Sequence, residues 1–414
     1  SVTPASYGRI FPWEDAMHVL MLSDVYFPRI NGVSTSIETF RREFEAAGDR
    51  VTLMVPDYPG AQAEPGIIRI ASHRLPLDPE DRRMELRTIL AHEEQLRGMD
   101  IDLIHIQTPF IAHYAGTALA KRLGVPCVET YHTLFEEYFH HYIPFLPKGM
   151  LRGLTRRFSR RQCNALDGVI VPSTAMAERL QSYGVTTPLR VVPTGIPLQQ
   201  FGQGDGAAFR QRLGLAPETP VALFVGRVAG EKNIDFLLQA HRLALLRLPE
   251  LHLVVAGEGP ALAGLRRLAE ALGTSDKVRF VGYLHRRDEL PACYAAADAF
   301  VFASRTETQG LVLLEAMAEG VPVVALSIMG TRDILMPARG AVSPPDDPAE
   351  FAEALANLLQ NPEQRQRLAR EAREYVLEWS APACAGRLRQ ALAELLQSRM
   401  NTGPLTPCTS SPVD

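Results

Sequence analysis

Short, mostly continuous apolar runs alternate along this chain with longer stretches of helical spacing, and the pattern occurs twice. The runs fall at residues 18–23 (HVLMLS), 51–56, 103–107, 125–130 and 168–172. After a Pro/Gly-punctuated stretch at 191–197 (VVPTGIP), a candidate hinge, they resume at 221–225, 251–256, 278–281, 299–302 and 321–325. Strands with one wet face alternate apolar and polar residues, whereas strands buried on both faces of a parallel sheet read as unbroken apolar runs. The pattern therefore predicts two open α/β sheets of similar size, in residues 1–195 and 196–375. Residues 32–47 read as the first crossover helix. A long helix over 376–400 is expected to pack back on the first half. The tail at 401–414, rich in Ser, Thr and Pro, is expected to be disordered. Open α/β sheets bind ligands at the carboxyl ends of their strands, so two such halves predict a cleft between them.

The bulk numbers exclude several classes. The 414 residues suit two domains, and 46% hydrophobic with 22% charged residues is ordinary for a soluble enzyme. A net charge of −4 argues against a nucleic-acid protein. The five cysteines (Cys127, Cys163, Cys293, Cys384 and Cys408) are odd in number and scattered, which fits a reduced, cytoplasmic setting. The first sixteen residues do not read as a signal peptide. No run approaches the ~20 apolar residues of a spanning helix, so membrane contact is expected to be peripheral, on the inner face.

The chemistry concentrates at 304–320 (SRTETQGLVLLEAMAEG). A strand leads into a loop holding Glu307, and a helix is expected to begin near Gly310 and run to about Glu319. A helix N-terminus opened by glycine offers free N–H groups and a positive dipole end, suited to a diphosphate. Glu307 precedes the helix and Glu315 lies inside it, where one carboxylate can take sugar hydroxyls and the other ribose hydroxyls. A single Glu is more often a cap or a solvated side chain. Glu315, flanked by Leu314, Ala316 and Met317, needs a partner for its charge. A second element, VGRVAGEKN at 225–233, puts Arg227 and Lys232 in the loop after a strand that ends at Gly226. Two cations there can neutralise a departing diphosphate, although a solvated loop is an equal reading of that segment alone.

These pieces resemble the retaining GT-B glycosyltransferases of family 4, with two Rossmann-like domains facing a cleft. The resemblance rests on Glu307 and Glu315, on Gly226, Arg227, Glu231, Lys232 and Asn233, on VVAGEGP (254–260), on FVGYL (280–284) and on Asn31-Gly32-Val33, in that family's order. It implies that Arg227 and Lys232 bind the donor diphosphate, Glu307 the sugar and Glu315 the ribose. It implies that Gly282, Tyr283 and Leu284 cradle the base and that Gly32 and Val33 face the donor phosphate. Thr308, Gln309, Gly310 and Leu311 complete the donor loop. Many members have Gly-Phe where this chain has Thr308-Gln309, and some lipid-directed members look like this sequence there. Gly257-Glu258-Gly259 resembles a dinucleotide fingerprint, but Pro260 and Leu262 break it.

On the first half, TYHTLFEEYFHHY (130–142) places His132 directly after a strand. The family resemblance implies that this His contacts the donor sugar near the reacting centre; the alternative is a structural histidine. His132, Glu136 and His140 would share a face of a continuous helix and so raise a metal-site reading. The resemblance needs no metal and no cofactor. Asp100 and Asp102 precede a strand at its amino end and read as a cap or turn. Residues 148–163 (KGMLRGLTRRFSRRQC) put Met150, Leu151, Leu154 and Phe158 on one stripe, with Lys148, Arg152, Arg156, Arg157, Arg160 and Arg161 around the rest. Such a helix either packs by its stripe or lies on an anionic membrane. Tyr138, Phe139, Tyr142 and Phe145 suggest an apolar acceptor lip.

The expected activity is transfer of a hexose, with retention, from a nucleotide sugar such as a UDP-sugar to a hydroxyl acceptor. The look of the His132 and Glu307 segments leans toward a membrane lipid such as diacylglycerol, with phosphatidylinositol or a glycan as alternatives. Rival readings are a nucleotide-sugar epimerase, a non-enzymatic nucleotide-sugar or lipid-binding protein, and a metal hydrolase.

Overall fold

The computed structural model describes residues 16–29, 31–74, 82–132 and 148–402; in the last stretch, side chains are described from 153 to 397. The predicted segment around Glu136, Tyr138, Phe139, His140, Tyr142 and Phe145 lies outside the described residues, as does the tail from 403.

The chain divides into two compact units. The first comprises Ser1–Ile170, Tyr183–Arg190 and Ala385–Asp414, and the second Val171–Ser182 and Val191–Cys384. The partition differs from a single break at 195. The helix Thr174–Ser182 is counted with the second unit. There the Thr174 N–H donates to Asp333 at 2.6 Å, and Arg332 pairs with Glu178 at 3.1 Å.

The first unit is built on β1 (His18–Leu22), β2 (Arg50–Pro56), β3 (Ile67–Ile70), β6 (Leu103–Ile106), β7 (Cys127–Thr130), β8 (Gly168–Val171) and β9 (Leu189–Val191). Their order is β3-β2-β1-β6-β7-β8-β9, parallel from β3 to β8. Two short strands, β4 (Ser72–Arg74) and β5 (Arg82–Met84), form a separate antiparallel pair. The second unit orders β12 (Val278–Gly282), β11 (His252–Ala256), β10 (Val221–Val225), β13 (Ala299–Phe302), β14 (Val323–Ala325) and β15 (Ala341–Val342) in that sequence, all parallel. Every residue of β1, β10, β11 and β13 is buried, as their unbroken apolar runs require. Phe224 of β10 stacks on Phe302 of β13 with ring centroids 5.8 Å apart.

Both sheets reverse strand order beside their first strand, between β1 and β6 and between β10 and β13. At such a switch point the following crossovers leave in opposite directions, and their loops open a crevice at the carboxyl ends of the strands.

One expectation changes. The predicted helix over 376–400 is two pieces, a 3-10 turn at Val376–Trp379 and the helix Ala381–Thr402, with a separate helix Pro362–Tyr375 before them. Ser380 is extended, because Pro382 lacks an N–H and forces a new helix start. Only the last helix belongs to the first unit, through Arg389, which holds the buried Asp49 carboxylate at 2.9 Å. Asp100 and Asp102 are a turn as expected: Asp100 sits at φ 50 and Asp102 accepts from the His18 N–H at 2.7 Å.

The β10 and β11 loops pack backbone on backbone. Gly226 N–H donates to Ala256 O, Val228 N–H to Glu258 O and Ala261 N–H to Val228 O. Gly257 and Gly259 both have positive φ, and a Cβ on them would meet Gly226 O at 1.9 Å and Val228 O at 2.2 Å. Gly257→Ala should therefore cost more than about 3 kcal/mol, whereas Gly264→Ala, in open space on the helix Leu262–Ala271, should gain about 0.5–1 kcal/mol. Denaturant unfolding of the two variants checks this; equal effects would contradict it.

Candidate active site

In the second unit the predicted donor residues converge on the switch point. β10 ends at Val225, and Gly226 and Arg227 follow. A short 3-10 turn, Gly230–Lys232, then passes into the helix Ile234–Ala244 through Asn233, a left-handed cap whose side-chain amide donates to Ala303 O at 3.0 Å. β13 ends at Phe302, and its loop carries Glu307 back toward Lys232. Lys232 Nζ donates to Glu307 Oε1, and both side chains are about four-fifths withdrawn from solvent. Arg227 stays largely exposed, with Glu231 at 3.8 Å.

The helix Leu311–Ala318 starts at Gly310, whose φ of 96 only glycine adopts easily, and no side chain caps it. The Glu307 loop before it is anchored by Gly330 N–H donating to Glu307 O at 2.8 Å. Leu311 and Thr308 lie at this helix start as expected. Gln309 does not offer its side chain: it is buried, its Oε1 accepts from Thr194 N–H at 2.9 Å, and its Nε2 donates to Thr194 O at 2.7 Å. That pairing pins the 191–197 stretch, which had read as a free hinge, to the Glu307 loop.

Glu315 is buried, and the partner its charge requires proves to be double. Arg286 Nη2 donates to Oε1 at 2.9 Å and the Tyr294 hydroxyl to Oε2 at 2.8 Å. Burial and the adjacent carboxylate raise the Tyr294 hydroxyl well above its ordinary pKa, so it remains a donor. Sequence reasoning missed both partners; Arg286 carried no spacing signal, and Tyr294 sits in an alanine-rich helix. Gly282, at φ 76, closes β12 and accepts from Gly257 N–H at 2.8 Å. Tyr283 is exposed and Leu284 buried.

In the first unit, Asn31 caps the helix Gly32–Ala46 in a reciprocal box: Ser34 N–H donates to Asn31 Oδ1 at 2.8 Å, and Asn31 N–H to Ser34 Oγ at 2.9 Å. Gly32 and Val33 are thus the first helical residues, with open space around Gly32. His132 follows β7, and its Nε2 lies 3.0 Å from Gln107 Oε1, at the end of β6. Burial lowers the His132 pKa to about 4. Asp24, just past β1, was also missed. It accepts from Thr108 Oγ1 at 2.7 Å and from Ala112 N–H, at the start of the helix Ile111–Leu123. Burial nevertheless raises its carboxyl to about 6.

Among its described side chains, the helix Lys148–Cys163 buries Thr155, Ser159, Gln162 and Cys163. Ser159 Oγ lies 2.9 Å from the Tyr131 hydroxyl, and Gln162 Nε2 donates to Pro109 O at 2.7 Å. Leu154 is 55% exposed and Phe158 half-buried, while Arg156, Arg157, Arg160 and Arg161 face solvent. The side chain of Arg152 lies outside those described.

Among solved structures, that of Anabaena Alr3699/HepE in complex with UDP and glucose superposes with a TM-score of 0.71 at 17% identity, over 91% of this chain and all of the other. The fold is GT-B. Residues 30–200 match the family model Glycosyltransferase Family 4, and residues 205–375 match Glycosyl transferases group 1. The chain belongs to this glycosyltransferase family. It is 36% identical over 323 residues to the alpha-monoglucosyldiacylglycerol synthase of Streptococcus pneumoniae, covering 75% of this chain and 71% of that one. It is 30% identical over 380 residues to a GDP-mannose-dependent alpha-mannosyltransferase of Mycobacterium tuberculosis, covering 90% and 95%. Among the described residues, no helix is long and apolar enough to cross a membrane.

Asp24 generates a pH prediction. Its folded-state pKa is raised, so the stability it contributes is full below about pH 4 and lost as pH climbs through 6. Asp24→Asn keeps an acceptor but no titration. Wild type should lose roughly 1–3 kcal/mol relative to Asp24→Asn between pH 4 and 7. Parallel stability curves for the two proteins would contradict this.

Proposed function

We propose that this enzyme transfers a hexose, with retention, from a nucleoside diphosphate sugar (a UDP-sugar) to a hydroxyl of a membrane lipid such as diacylglycerol. The observation that carries the donor side is the Lys232–Glu307 pair beside an uncapped helix start. Without donor the two charges satisfy each other. A diphosphate competes for Lys232 and the helix amides, which releases the Glu307 carboxylate for a sugar hydroxyl. Arg227, exposed on the same loop, supplies the second cation, and Glu315, held by Arg286 and Tyr294, keeps lone pairs for ribose hydroxyls. The bond from the anomeric carbon to the phosphate oxygen breaks as negative charge grows on the diphosphate, where Lys232, Arg227 and the amides sit. The acceptor oxygen bonds to the same face of that carbon, and its proton passes to the departing phosphate. His132 is assigned to the sugar near the reacting centre.

The lipid acceptor is supported by the Streptococcus pneumoniae relative, an alpha-monoglucosyldiacylglycerol synthase. It also fits the solvent face of Lys148–Cys163, where four arginines and the exposed Leu154 suit an anionic membrane surface. Peripheral attachment through this helix is part of the proposal.

Lys232→Ala and Glu307→Ala should each lower turnover on diacylglycerol-containing anionic vesicles by 10²–10³-fold without loss of fold, read by mass spectrometry of the product. Arg157→Glu with Arg160→Glu should lower the rate on vesicles but not on detergent-dispersed acceptor. Near-normal turnover in either Lys232→Ala or Glu307→Ala would overturn the donor assignment, and equal vesicle rates would overturn the membrane face.

A further inference from the structure

β6 and β7 are parallel neighbours with Ile104 opposite Cys127 and Ile106 opposite Glu129. Side chains two apart on a strand share a face, so His105 and Gln107 point the same way, as do Thr130 and His132. The pairs meet as two rungs of a polar ladder. His105 Nε2 lies 2.7 Å from Thr130 Oγ1, and His132 Nε2 lies 3.0 Å from Gln107 Oε1. His105, Thr130 and Gln107 are buried. Polar groups there are retained only if pairing or function compensates them. The lower rung is closed off from solvent; the upper one reaches the half-buried His132.

We infer that Gln107 is a positioning residue whose amide holds His132 as a neutral imidazole protonated on Nε2. The inference rests on the reading of His132 as a residue of the reacting centre. An amide oxygen only accepts, so the His132 nitrogen facing it carries the hydrogen, and in a neutral ring Nδ1 then carries the lone pair. A carboxylate in the same place would stabilise the imidazolium; an amide cannot. Burial is the cause that lowers the His132 pKa, and His105, on the rung below, is itself held neutral by burial, with its pKa pushed to about 3. Among the described residues no carboxylate pairs with His132. Among the described residues, Gln107 Nε2 has no hydrogen-bond partner. The amide is thus turned to suit the histidine at the expense of its own second end.

The test is nitrogen NMR of the full chain labelled with 15N-histidine, with the His132 signals assigned by their loss in His132→Asn, alongside kinetics. The wild-type ring should be neutral and Nε2-protonated at pH 6. Gln107→Glu should raise its pKa by at least one unit and add a pH-dependent limb to kcat/KM between pH 5.5 and 8. Gln107→Leu should give a tautomer mixture and at least tenfold lower kcat, with donor KM within twofold. A purely structural Gln107 would lower the melting point of both variants without moving the tautomer. An Nδ1-protonated or charged ring in wild type, or an unchanged tautomer in Gln107→Leu, overturns the inference. Full turnover in His132→Ala would instead overturn the reading of His132, and the NMR result would still decide the tautomer.

Discussion

The Lys232–Glu307 ion pair depends on backbone packing several residues away. Lys232 reaches Glu307 because Gly257 and Gly259 let the β11 loop lie directly against Gly226 and Val228, which fixes the β10 loop. Asn233 then turns through a left-handed conformation and ties that loop to Ala303, at the root of the Glu307 loop. A Cβ at either glycine would push the cationic loop off its base. Two charges this far withdrawn from water compensate each other by pairing, and a ligand of the right charge can exchange one partner for another.

The rest of the donor side is arranged around that pair. The Glu307 loop is held on one flank by Gly330 and, through Gln309, by the Thr194 backbone. Glu315, one helix turn and more beyond, is fixed independently by Arg286 and Tyr294. Each carboxylate therefore sits among fixed hydrogen-bond partners.

Much of this was legible in the sequence. The unbroken apolar runs gave β1, β6, β7, β10, β11 and β13 nearly in place, because burial on both faces leaves no polar alternation to misread. Glu315 stood out because a charge inside an apolar run needs a partner, whereas the roles of Glu307 and Lys232 came from the family resemblance. β4 and β5 escaped because SHR and RRM carry no apolar signal, and β15 because two residues make no pattern. The helix at Lys148–Cys163 was read as packing by its apolar stripe or lying on a membrane, and the hydrogen bonds of Ser159 and Gln162 carried no local signal. Gln107, Asp24 and Gln309 act through partners 25 to 115 residues away, and no local pattern encodes those meetings.

The central claim is that Lys232, paired with Glu307 in the free enzyme, receives the donor diphosphate. The direct measurement is calorimetric binding of UDP and UMP to wild type and to Lys232→Ala. The account predicts that wild type prefers UDP to UMP by at least tenfold and that Lys232→Ala loses most of this preference while still binding UMP. Retention of the full UDP preference by Lys232→Ala would contradict it.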